Sequence, residues 1–94
     1  MGADFFEAEV EGIEDAYTAF RQAVEKAQYD HGHAGYTGTI AEKDDFTILY
    51  DVPAIAASDP YRYLVDDARI QDKWGPAGAV KTDTGWLFVG FASS

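Results

Sequence analysis

The chain contains no cysteine and little positive charge. Without cysteine there is no disulfide framework and no thiolate metal site, a usage that favours a reducing compartment. Seven lysines and arginines stand against 17 aspartates and glutamates, for a net charge of −10. So acidic a chain repels nucleic acid unless its few bases cluster, and direct nucleic-acid binding is not expected. No apolar run approaches the roughly 20 residues of a membrane span, and the N-terminus lacks a basic-then-apolar secretion signal. The expectation is one soluble, cytoplasmic domain over residues 1–94, with a core modest enough that oligomerisation would help it.

What is present is unevenly placed. Asp4, Glu7, Glu9, Glu11, Glu14 and Asp15 all precede Arg21, the first base. A solvated face explains such a block. A surface that docks on a basic partner explains it too. Within residues 1–11, Phe6, Ala8 and Val10 alternate with Glu7, Glu9 and Glu11, the period of a strand or an extended arm.

Over 13–30 the apolar residues Ile13, Ala16, Tyr17, Phe20, Ala23, Val24 and Ala27 recur at helical spacing, with Glu14 and Asp15 suited to the N-terminus. Residues 36–43 and 46–52 read as a hairpin, with Phe46, Ile48, Tyr50 and Val52 on one face. Asp59-Pro60 opens a second helix whose stripe is Tyr61, Leu64, Val65 and Ala68; it runs to Trp74-Gly75 unless broken near Asp66-Asp67. Residues 78–82 and 85–92 form a second hairpin, closed at Asp83-Thr84-Gly85.

These elements suggest a duplication. Gly32-His33-Ala34-Gly35 and Gly75-Pro76-Ala77-Gly78 each follow a helix-like stretch, and Ile40 to Phe46 matches Val80 to Trp86 in spacing. The expected fold is α+β: pseudo-repeats 13–52 and 59–92 in the order α-β-β-α-β-β, a four-stranded antiparallel sheet with both helices on one face, and an acidic arm at 1–11. Trp86, Leu87, Phe88, Val89 and Phe91 are apolar on both faces of the last strand. With both helices on one side, the other face would need the N-terminal arm (Phe5, Phe6, Val10) or a second subunit; one strand covers little of a four-stranded sheet, so a homo-oligomer is expected.

The run Gly35-Tyr36-Thr37-Gly38-Thr39-Ile40, the run Lys73-Trp74-Gly75-Pro76-Ala77-Gly78 and the ending Gly85 to Ser93 resemble segments of short uncharacterised proteins encoded by bacteriophages. The resemblance implies a viral accessory protein in the host cytoplasm. Such proteins often counter host defence by binding rather than catalysis.

The loop from Asp30 to Thr39 gathers glycines, which let a backbone approach a ligand, with His31, His33, Tyr36, Thr37 and Thr39, which could hold a base, ribose or phosphate. Tyr29, Tyr36, Tyr63 and Trp74 lie near the helix–hairpin junctions, and Lys43, Arg69 and Lys73 are local cations. Stacking surface plus a few cations is what a nucleotide pocket needs. The candidate ligand-binding residues are therefore His31, His33, Tyr36, Thr37, Thr39, Lys43, Lys73 and Trp74. The alternative for the loop is structural: Gly32 caps a helix, and Gly35 and Gly38 allow tight turns.

Other chemistry is poorly supported. His31 and His33 lack a third metal ligand at a recognisable spacing, and no cofactor is implied. Asp83-Thr84-Gly85 matches the aspartic-protease triplet in three letters only, because the apolar strand follows it here instead of preceding it. Asp66 and Asp67 point apart on a helix. No Ser-His-Asp or Cys-His set is visible. Two readings remain: a non-enzymatic binder of a nucleotide-like small molecule, and an acidic module that inhibits a basic or DNA-binding host protein.

Overall fold

A computed structural model describes residues 2–31 and 38–93, with backbone alone at His31. The order of elements is β1 (Ala3–Glu11), α1 (Ala16–His31), a 3-10 turn (Ile40–Glu42), β2 (Phe46–Ile48), a 3-10 turn (Ala54–Ser58), α2 (Pro60–Leu64), β3 (Ala77–Lys81) and β4 (Gly85–Ser93). The fold is α+β, with one four-stranded sheet in the order β1-β4-β3-β2. Its long centre is β4, paired antiparallel with β1 from Ser93↔Ala3 to Gly85↔Glu11 and antiparallel with β3.

The sheet is mixed rather than antiparallel, because β2 pairs parallel with β3. Over the described residues 38–43 there is no strand, so the hairpin expected from 36–43 and 46–52 is not seen there. Thr39 caps the first 3-10 turn by accepting from the Ala41 N–H at 3.3 Å, and Ile40 is driven into the core. That leaves β2 without a hairpin partner, and it lies instead beside β3. Two parallel neighbours need a crossover of a dozen or more residues, and the crossover is the chain from Leu49 to Pro76. Among the described residues no duplication is seen: Val80 lies in β3, whereas Ile40 lies in a 3-10 turn.

The crossover also decides where the helices go. They pack on opposite faces, not on one. Under α1, Phe6, Phe20, Ala23, Ile40, Ala79, Trp86 and Phe88 form one core. Phe20, Phe46 and Phe88 meet there with ring centroids 5.1–5.9 Å apart. On the other face Leu49, Leu64 and Ile70, all from the crossover, bury Val80, Leu87 and Val89. The doubly apolar β4 is thus covered within one chain, and it gives no reason for a second subunit.

Local signals set the ends. Asp15 caps α1, its carboxylate accepting from the Thr18 N–H at 2.9 Å and the Thr18 hydroxyl at 2.6 Å. Those bonds hold the Asp15 carboxyl below its ordinary pKa. The Trp86 indole N–H donates to the Glu14 carbonyl at 2.8 Å and fastens the start of α1 to β4. Tyr17, placed by periodicity in the stripe, is exposed, and Ala19 takes the buried position. The second helix starts at Asp59-Pro60 as expected, with the Asp59 carboxylate accepting from the Arg62 N–H. It is only five residues long, and Ile70, rather than Tyr61 or Ala68, joins Leu64 in the core.

Candidate functional site

The N-terminal residues form the outer strand of the sheet. The N–H of Gly12 donates to the Thr84 carbonyl at 2.7 Å. In an antiparallel ladder this makes the even-numbered residues of β1 the ones bonded to β4. The odd-numbered residues Phe5, Glu7, Glu9 and Glu11 then turn their N–H and C=O groups to the open edge. Among the described residues, no backbone group pairs with that edge.

Each face of β1 has its own character. Phe6 and Val10 are buried under α1, with Ala8 packed beside them. On the other face Phe5 packs edge-on to Tyr61 and Phe91, at centroid distances of 5.2 and 5.4 Å. Glu7, Glu9 and Glu11 continue that face as exposed carboxylates. Successive members stand two residues apart, close to 7 Å in a strand.

A groove of about 580 Å³ runs between β1 and α1. It is lined by all seven residues from Phe5 to Glu11, which belong to both faces of β1, so it follows the strand's edge. The far wall is the small-residue side of α1, Ala23 and Ala27, with Gln22, Lys26 and Asp30 at the rim. Lys26 is held by Asp30 at 3.0 Å. Gly38, Thr39 and Ile40 close one end.

Of the candidate ligand residues that are described, Lys43, Lys73 and Trp74 gather at the 72–75 loop, and Thr39 stands apart from them. Thr39 lines the groove. Trp74, two-thirds exposed, lines a second hollow of about 230 Å³ with Glu42, Asp44 and Asp45. The Lys73 ammonium sits 5.3 Å from the Trp74 ring centroid and 3.5 Å from the Gly2 carbonyl. Lys43 is buried, and its ammonium donates to the carbonyls of Asp72, Lys73 and Gly75 at 3.3, 3.1 and 2.9 Å. Three donors meet three acceptors, which makes Lys43 a brace for the 72–75 loop. Burial lowers its pKa, and the charge of Asp72 partly offsets that. His33, Tyr36 and Thr37 lie outside the described residues, as does the side chain of His31.

Arg69 is also engaged. Its guanidinium grips Asp67 at 2.6 Å and Asp51 at 2.7 Å. The Arg69 hydrogen bonds pull both carboxyls below the ordinary aspartate value, and those carboxylates raise the guanidinium. Two of the cations proposed for a nucleotide pocket are therefore satisfied by the protein itself. Among the described residues, no three histidine, aspartate or glutamate side chains gather as metal ligands, and no helix is long and apolar enough to cross a membrane. Asp83-Thr84-Gly85 lies at a tight hairpin between β3 and β4, where the Gly85 N–H donates to the Thr82 hydroxyl at 2.9 Å.

Periodicity reading found the Glu7, Glu9 and Glu11 row. It missed the groove, whose signal is the pair Ala23 and Ala27, four residues apart on α1 and too small to fill the space above β1. In comparisons with protein families, curated proteins and solved structures, nothing matches this chain.

Proposed function

We propose that this is a non-enzymatic protein-binding module that docks a basic segment of a partner on the open edge of β1. One observation carries the reading: Glu7, Glu9 and Glu11 stand in a regular exposed row on an edge strand without a described partner. Like charges so aligned repel each other and are relieved by a cationic partner. The occupied state of Lys43 and Arg69 favours this reading over a phosphate-bearing small ligand. In the phage setting that the sequence resemblance implies, the partner is a host protein with an exposed basic segment.

The test is binding of a lysine 20-mer, followed by fluorescence anisotropy across a salt series. Affinity should fall steeply with salt. Reversing Glu7, Glu9 and Glu11 to lysine should abolish binding. Reversing Glu14, Asp66 and Asp83, exposed elsewhere, changes net charge equally and should leave most of it. Equal loss in both triple variants would reduce the effect to bulk charge and sink the proposal.

A further inference from the structure

The groove and the open edge meet along the same residues. We infer that the partner binds as an added strand: an extended segment with lysine or arginine at every second position pairs with β1 and fills the groove under α1. This rests on the docking function proposed above and specifies its partner. Among the described residues, nothing pairs with the outward N–H and C=O groups of the odd-numbered residues of β1, and such a ladder is the template for strand addition. An extended segment repeats its side chains at the spacing of the glutamates, so its alternate residues on that face come opposite Glu7, Glu9 and Glu11. Its other side chains turn toward the groove, between Ala8 on the strand and Ala23 and Ala27 on the helix. Small or medium apolar groups suit that side. A second copy of this chain is a poor occupant, since pairing β1 with β1 would bring two carboxylate rows together.

Two peptides of one composition separate strand addition from plain charge attraction. One alternates lysine with valine over nine residues; the other has its lysines in one block and its valines in another. The alternating peptide should bind about tenfold more tightly or better, because only it matches both faces at once. Hydrogen exchange followed by NMR should show the amides of Phe5, Glu7, Glu9 and Glu11 slowing on binding, with Phe6, Ala8 and Val10, already bonded to β4, unchanged.

A backbone test uses Glu9, whose N–H faces the open edge. Proline there removes an outward donor without breaking the β4 ladder. Glu9→Pro should weaken the alternating peptide at least about fivefold more than Glu9→Ala, which removes the same charge but keeps the donor. Thermal unfolding checks that the proline variant folds; if it does not, the peptide pair and the exchange pattern decide. Equal binding of the two peptides with no amide protection would overturn strand addition and leave charge docking standing. Failure of both peptides to bind would remove both.

Discussion

The ammonium of Lys43 donates to the carbonyl oxygen of Gly75 at 2.9 Å, across 32 positions of sequence. The bond ties the chain just before β2 to the loop just before β3, the two ends of the crossover. Lys43→Met keeps the aliphatic stem but leaves three carbonyls without their donor. The variant should lose about 1–3 kcal/mol of stability, read by urea unfolding. Lys43→Arg should not restore it, because a planar fork does not match three converging carbonyls.

Gly85 starts β4 where β1 ends. A methyl group there would collide with the Val10 carbonyl oxygen and the Glu11 Cα, which are backbone atoms with little room to yield. Gly85→Ala should cost at least ~1–3 kcal/mol by forcing the two strands apart. Gly12 is the contrast: its φ is +81°, and a methyl would meet open space. Gly12→Ala should cost only about 1 kcal/mol, for the left-handed backbone alone. Urea unfolding of the two variants side by side checks the order.

Asp67 and Asp51 close on Arg69 and titrate below the ordinary value of 3.8. The folded chain therefore holds fewer protons than the unfolded chain between the lowered values and 3.8. Stability from these groups is fully present above 3.8 and is lost as pH falls through the folded values. Asp67→Asn should cost about 1 kcal/mol at neutral pH, because the Asp67 side chain is partly buried while Arg69 still meets solvent. The difference from the parent should vanish in acid. Unfolding curves of both proteins between pH 7 and pH 2 check the sign; a gap that widened in acid would contradict it.

The carboxylates of β1 also guard an open edge against other copies of the chain. Replacing Glu7, Glu9 and Glu11 with glutamine should leave folding stability within about 0.5 kcal/mol, because all three are exposed. The variant should self-associate more than the parent at equal concentration. Sedimentation velocity at matched concentration distinguishes the two.

Elements defined by local chemistry were legible. Alternation of Phe6, Ala8 and Val10 with glutamates marked a strand or extended arm, which proves to be a strand of the sheet; the helical spacing marked α1, though it begins at Ala16 and not at residue 13; and Asp59-Pro60 marked the start of α2. The β3–β4 hairpin followed from Asp83-Thr84-Gly85 between apolar runs. The first hairpin was misread because 36–43 and 46–52 have strand-like composition, and composition does not say which strand is the neighbour. Leu49 and Val52 instead cross to the second core, and Tyr50 is left exposed. At the candidate site, the acidic row was visible in the one-dimensional pattern. The groove was not, because it is an absence of side-chain volume between segments far apart in sequence.

The sequence by itself determined the α+β class, the presence of its main helix, the amphipathic first strand and the net acidity. Those properties follow from neighbours along the chain and from summed charge. Only the tertiary structure decided that β2 runs parallel to β3, that the helices lie on opposite faces, and that β1 is an outer strand beside a groove among the described residues. Each is a choice among pairings with similar local preferences. The crossover settled it by burying Leu49, Leu64 and Ile70 against the face of β4 that α1 cannot reach.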